Sequence, residues 1–205
     1  MEIVLASNNR GKLEELRALL SGTTINCIPQ SDRGVPEAAE TGLSFVENAI
    51  IKARHASHFT GLPAIADDSG IEVDELNGAP GIYSARYAGD RASDSDNTAK
   101  LLLGLSTTET DNRQARFRCE VVFVRHELDA SPVICSGTWV GRIAERPRGE
   151  NGFGYDPVFL VGNGQKSAAE LSAEEKNRIS HRGQALAQLV VRLKELGIGS
   201  SLGAG

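Results

Sequence analysis

Two adjacent carboxylates follow a short apolar run in Ala64-Ile65-Ala66-Asp67-Asp68-Ser69-Gly70. Side chains alternate along a strand, so Asp67 and Asp68 are expected to point to opposite faces. A carboxylate fixed at the tip of a strand can hold a hard divalent cation or take a proton from water. Ser69 and Gly70 predict a turn, after which Ile71-Glu72-Val73-Asp74 resumes a strand-like alternation. An isolated Asp-Asp-Ser-Gly also fits an ordinary β-turn. Its chemistry therefore depends on what the rest of the chain brings to it.

Four other segments carry suitable groups. Ser7-Asn8-Asn9-Arg10-Gly11-Lys12 joins a predicted strand to a helix start, where free N–H groups and the helix dipole attract anions. Lys12 adds a point charge there, although the same residues also fit a plain Asn-capped helix. Glu40-Thr41-Gly42 precedes a helix that Ser44 and Glu47 cap and that carries Asn48 and Lys52. That element offers a carboxylate and a cation, or simply a solvated face. Gly152-Phe153-Gly154-Tyr155-Asp156-Pro157 sets aromatics between glycines, suiting either stacking on a nucleobase or a glycine turn with a core Phe. Lys176, His181 and Arg182 surround a predicted helix junction and suit phosphate and base-edge contacts.

Other patterns fail on their own terms. Gly197-Ile198-Gly199 follows a helix rather than a strand, so it is no dinucleotide fingerprint. Gly164-Gln165-Lys166-Ser167 lacks the Gly directly before Lys that a P-loop needs. Asp94-Ser95-Asp96-Asn97-Thr98-Ala99 departs from a calcium loop at its Gly position. His55 and His58 can share a helix face, but no third ligand stands near them in the sequence.

The elements that must position these groups follow from periodicity. Ile3 to Ala6 reads as a strand, and Leu13, Leu16, Leu19 and Leu20 as the apolar face of the helix after it. Further strands are predicted at Thr24 to Ile28, Phe117 to Phe123, Val133 to Ile143 and Pro157 to Val161. Asp94 to Asp96 can cap a helix carrying Leu101 to Leu105. Ser172 with Glu175 opens a last helical region that packs Leu186, Leu189, Val190, Leu193 and Leu196.

Composition narrows the class. The 205 residues suit one core, or one domain in two lobes. A net charge of -5 argues against broad nucleic-acid or membrane-surface binding while allowing a local basic pocket. Cys27, Cys119 and Cys135 form no CxxC pair and read as small core residues of a reducing compartment. The first six residues read as a strand and not as a signal peptide, and no apolar run reaches membrane-spanning length. The expected location is the cytoplasm.

Taken in order, the segments resemble the inosine/xanthosine triphosphate pyrophosphatases. The matching pieces are SNNRGK, ETGLSFVENAIIKA, AIADDSGIEVDELNGAPGIYSARYAG, GFGYDPVF and KSAAELSAEEKNRISHRGQAL. The resemblance is collinear over nearly the whole chain and weakest around Ser106 to Arg113 and in the C-terminal tail. It implies Mg²⁺-dependent hydrolysis of deaminated purine nucleoside triphosphates to a monophosphate and pyrophosphate. It also implies a mixed α/β fold, with a long twisted sheet and flanking helices forming two lobes around an active-site cleft. The expectation is one catalytic domain over residues 1–197, a flexible tail over 198–205, and a homodimer. Carried onto this sequence, Glu40 and Asp68 are the metal carboxylates, Asp68 is also the general base, and Asp67 supports them. Ser7 to Lys12, with Lys52, Lys176 and Ser69, are expected at the triphosphate. Phe153, Gly154, Tyr155, Asp156, His181 and Arg182 are expected at the base, with Asp156 accepting from the purine N1–H. The rival readings are a pyrophosphatase for pyrimidine or modified nucleotides and a catalytically silent nucleotide-binding protein. The first lacks a use for the 6-oxo readers, and the second lacks a use for a base such as Asp68.

Overall fold

The computed structural model describes residues 1–109, 112–162 and 164–199. Among the described residues seven strands form one twisted mixed sheet: β1 (Glu2–Leu5), β2 (Asn26–Pro29), β3 (Ala64–Val73), β4 (Gln114–Val124), β5 (Val133–Ile143), β6 (Phe159–Val161) and β7 (Lys166–Ser167). Their order across the sheet is β2-β1-β3-β4-β5-β6-β7. β1 is parallel to both β2 and β3, whereas β6 is antiparallel to β5 and β7. The helices are α1 (Arg10–Leu19), α2 (Phe45–Thr60), α3 (Asp94–Gly104), α4 (Ala173–Ile179) and α5 (His181–Glu195). Among the described residues no helix is long and apolar enough to cross a membrane.

The chain divides into two compact units, with the boundary falling inside β3 between Asp68 and Ser69. The first contains residues 1–68, 120–136 and 185–205. Its core sets Ala49, Ala53 and Ala56 of α2 against Val4, Ala6, Ala64, Ala66, Val122 and Val124. Within each segment these residues are spaced by two, and together they line the sheet face that α2 covers. Alanines spaced i, i+4, i+7 let α2 approach that face closely. The second unit contains residues 69–119 and 137–184. Its core gathers Ile71, Leu101, Leu105, Phe117, Trp139, Tyr155 and Phe159. Gly141 is required there, since a Cβ would lie 2.4 Å from the Leu160 carbonyl oxygen of β6.

Several expectations need correction. Asp67 to Gly70 is not a turn but the middle of the continuous strand β3. Both carboxylates find partners on distant helices, which removes the local hydrogen bonds that favour an Asp turn. Leu19 and Leu196 lie outside the core, at 40% and 50% exposure. The second strand starts later than predicted, at Asn26. The predicted helix junction is present, with Ser180 between α4 and α5. All three cysteines are buried and free, and burial pushes the Cys27 thiol up to about 11 against the pull of Arg17. Of the expected tail, Ile198 N–H donates to the Leu193 carbonyl and the Gly199 carbonyl accepts from Thr24 N–H. Residues 200–205 lie outside the described residues.

Candidate active site

In the first unit, β3 carries Asp67 and Asp68 to two different helices. Asp68 shares the even-numbered face with Ala64 and Ala66, which α2 covers, and so meets residues of α2. Asp67 faces the other way and accepts from Lys12 Nζ of α1 at 2.8 Å. The parallel register Leu5↔Ile65 brings the segment after β1 beside these carboxylates. Alternation along the strand thus separates the two charges, as the sequence pattern requires.

Asp68 stands in a crowded polar cluster. Lys52 Nζ donates to Asp68 Oδ1 at 2.6 Å and to Glu40 Oε1 at 2.9 Å, so one ammonium is shared by two carboxylates. Burial is the main force raising the Asp68 carboxyl above the ordinary range; Lys52 opposes it, and the nearby Glu40 and Asp67 charges add to it. Burial works against the Lys52 ammonium, but Asp68, Asp67 and Glu40 together outweigh it and hold the lysine charged. Two oxygen donors converging on one cationic point suit a hard divalent ion. Among the described residues no cluster of three His, Cys, Asp or Glu side chains forms a metal cage.

Asn48 escaped the sequence reading as a site residue. It is fully buried on α2, four residues before Lys52 and on the same helix face. Its Oδ1 accepts from Gly42 N–H at 2.9 Å and its Nδ2 donates to Asp68 Oδ2 at 3.4 Å. One amide therefore ties the segment bearing Glu40 to Asp68. A Cβ on Gly42 would lie 2.8 Å from that Asn48 oxygen and 2.6 Å from Glu47 Cβ, so glycine is needed. The Asn48–Lys52 spacing was the available signal.

The start of α1 is shaped by its own side chains. Ser7 Oγ accepts from Asn9 N–H at 3.1 Å, and Asn9 Oδ1 accepts from Lys12 N–H at 3.2 Å. Asn8, Arg10 and Gly11 are exposed. The first turn holds Arg10 and Lys12 and no acidic residue. Cations at a helix N-terminus oppose the dipole, an arrangement that an incoming anion relieves.

The second unit builds a different cluster. Phe153 is 49% exposed, on a loop fixed from both sides. Asp156 Oδ2 accepts from Phe153 N–H at 2.8 Å, and Asp94 Oδ2 accepts from Gly154 N–H at 2.6 Å. Gly152 has φ +79°, and a Cβ there would fall 2.1 Å from Asp156 Oδ2, so no other residue fits. Lys176 Nζ donates to the same Asp156 oxygen at 2.5 Å and lies 4.6 Å from the centre of the Phe153 ring. The Arg182 guanidinium lies 5.8 Å from that centre. His181 stacks on Phe117 at 4.7 Å and 8°, which fixes its ring plane. α5 can begin this close to α4 because residue 183 is Gly: a Cβ would sit 1.7 Å from the Asn177 carbonyl oxygen.

Four of the expected site residues have structural contacts or settings of their own. Tyr155 is a core residue whose hydroxyl donates to the Ser84 carbonyl at 2.8 Å, and burial raises its ionisation far above normal. Asp156 is 2% exposed, and its Oδ2 accepts from both Phe153 N–H and Lys176 Nζ, so it also holds the loop. Lys176 stands with the aromatic cluster, against Phe153 and Asp156. Ser69 is half-buried on β3, with no turn to stabilise.

Comparison with known proteins adds an independent line. The Ham1 family profile matches residues 3–192. A dITP/XTP pyrophosphatase of Thioalkalivibrio sulfidiphilus is 61% identical over 194 residues, covering 95% of this chain and 99% of that protein. One from Vibrio cholerae is 55% identical, covering 95% and 97%. Among solved structures, a HAM1 protein from Coxiella burnetii superposes with a TM-score of 0.91 at 53% identity, covering 95% of this chain and 99% of its own. The nucleoside-triphosphatase / dITP/XTP pyrophosphatase from Mycobacterium abscessus gives a TM-score of 0.75 at 47% identity, covering 92% and 98%.

Proposed function

This chain belongs to the Ham1 family, and from that membership we propose that it hydrolyses deaminated purine nucleoside triphosphates (ITP, dITP and XTP) to the monophosphate and pyrophosphate. The reading makes it a cytoplasmic, homodimeric enzyme that keeps deaminated bases out of DNA and RNA. The observation that carries it is the convergence of Glu40 and Asp68 on a single cationic point, beside a helix that begins with Arg10 and Lys12.

In this reading Asp68 takes a proton from water as the water oxygen bonds to phosphorus. The anhydride P–O bond between the α- and β-phosphates then breaks, and pyrophosphate leaves with the electron pair. Burial makes the carboxylate a stronger base than an exposed Asp, which suits that task. Glu40 and Asp68 would hold Mg²⁺, whose contribution is to neutralise charge on the phosphate oxygens. Lys12, Arg10 and the α1 N-terminus bind the triphosphate, and Asn48 keeps Asp68 in place.

For the base, Phe153 supplies the stacking surface. Lys176, His181 and Arg182 supply donors for a 6-oxo group. Adenine would present an amino donor to those donors and leave buried groups unpaired, a mismatch that can discriminate by about 10⁴-fold. A pyrophosphate-release assay with Mg²⁺ and ITP, XTP, dITP and ATP tests the reading. ITP and XTP should exceed ATP by orders of magnitude in kcat/KM, and Arg182→Ala and His181→Ala should narrow that ratio mainly by slowing ITP. Equal turnover of ITP and ATP by the native enzyme would defeat the assignment.

A further inference from the structure

Resting on the phosphate-cleaving reading above, we propose that Lys52 is a built-in competitor of the divalent metal. Its ammonium and the metal use the same oxygens of Glu40 and Asp68, so metal entry requires Lys52 to leave. Nζ lies 2.6 Å from Asp68 Oδ1 and 2.9 Å from Glu40 Oε1, and two cations cannot share those oxygens at such distances. The lysine is well suited to move. Its ammonium rides on a flexible four-carbon stem, so it can swing aside while α2 stays fixed by Ala49, Ala53 and Ala56 in the core. Asn48 Nδ2 still donates to Asp68 Oδ2 when Lys52 departs, which keeps the carboxylate oriented.

Lys12 supplies the internal comparison. It carries the same charge in the same unit, but its partner is Asp67 on the opposite strand face. If the effect were only general attraction between a metal and an acidic neighbourhood, removing either lysine would tighten metal binding alike. Direct competition singles out Lys52.

Binding of Mn²⁺ alone to nucleotide-free protein, read by the EPR signal of free Mn²⁺, tests this separately from any substrate preference. Lys52→Met should tighten Mn²⁺ by at least about fivefold, the effect of one unit charge at contact range even in water-like dielectric. Lys12→Met should change it distinctly less. Lys52→Arg, which keeps the charge, should leave the affinity near that of the native protein. Unchanged or weaker Mn²⁺ binding in Lys52→Met, or equal tightening in Lys12→Met, overturns the proposal. Should Lys52→Met fail to fold, the native protein with ¹³C-labelled lysine answers the question. Adding Mg²⁺ without nucleotide should shift the Lys52 Cε signal, assigned by its loss in Lys52→Arg, more than that of Lys12. A Lys52 signal that stays in place while Mg²⁺ raises the melting temperature overturns it as well.

Discussion

Asp68 and Asp129 are both buried aspartates of the first unit, 8% and 1% exposed, yet their surroundings push them in opposite directions. Asp129 accepts from Arg125 N, Nε and Nη2 and from Ser131 N, all at 2.5 to 3.0 Å. The hydrogen bond from the Arg125 side chain leads in holding its carboxyl far below the ordinary range. Asp68 has a shared ammonium and one long amide contact, with Glu40 and Asp67 nearby, and burial lifts its carboxyl instead. A carboxylate fully served by N–H donors is an anchor and has no basicity to spare. One left short of donors among like charges keeps an affinity for protons and cations, which is what a metal-assisted hydrolase needs. The same residue type is thus given structural or chemical work by its donors and by the depth of its burial.

Swapping each for its amide is the sharpest way to break that contrast. Asp68→Asn keeps the shape but removes the charge and the proton acceptor, so kcat for ITP should fall by at least about 10²-fold. Its melting temperature should move less than that of the Asp129 variant. Near-normal turnover in Asp68→Asn would remove the base from the proposal. Asp129→Asn should do the reverse, losing about 2–3 kcal/mol of stability in urea unfolding with kcat little changed.

The pH dependence follows from the sign of the Asp129 shift. Its folded-state carboxyl lies below the unfolded value of about 3.9, so its stabilisation is complete above that pH and is lost as pH falls below it. The native protein should therefore lose stability on acidification more steeply than Asp129→Asn. Parallel curves would mean the Arg125 pairing contributes little.

Local pattern carried much of this architecture and stopped where contacts became distant. The opposite facing of Asp67 and Asp68 was legible because alternation belongs to the strand itself. The turn predicted at Ser69-Gly70 failed because Lys12 and Lys52, 55 and 16 residues away from their partners, satisfy the carboxylates and leave the chain extended. Lys176 reads from sequence as a phosphate ligand by charge alone. Its neighbours Asp156 and Phe153 become apparent only once α4 is folded against the glycine loop. Gly183 carries no signal in the sequence, since nothing there marks the Asn177 carbonyl that excludes a side chain.

Asp156 extends the comparison to the second unit, where a buried carboxylate serves a ring instead of a metal. Asp156→Asn keeps an acceptor for Phe153 N–H but leaves the Lys176 ammonium, 15% exposed, without its counter-charge. Lys176 should lose its place over Phe153. The expected result is about a tenfold fall in kcat/KM for ITP with a smaller loss for ATP, a difference of about 1.4 kcal/mol at most. Lys176→Ala should follow the same pattern. If both substitutions lower ITP and ATP equally, Lys176 serves the phosphates after all.

The exposed Asp94 should give the smallest effect. It sits at the first residue of α3, where an acidic side chain also suits the helix dipole. Its carboxylate reaches across to Gly154 N–H, and Thr98 Oγ1 donates to the Gly154 carbonyl at 3.4 Å. Between α3 and the loop lies a cavity of about 400 Å³ lined by Leu102, Pro147, Phe153 and Pro157. The loop is therefore held on that side more by these two hydrogen bonds than by packing. Asp94→Ala should let Phe153 wander and raise KM for ITP about threefold, the scale of one modest hydrogen bond, with kcat unchanged because Asp68 is untouched. ATP should weaken by the same factor, since stacking does not distinguish purines. Asp94→Asn keeps an acceptor and should recover most of the loss, which a pure dipole effect would not allow. A fall in kcat with KM unchanged would show that Asp94 does not act through the loop.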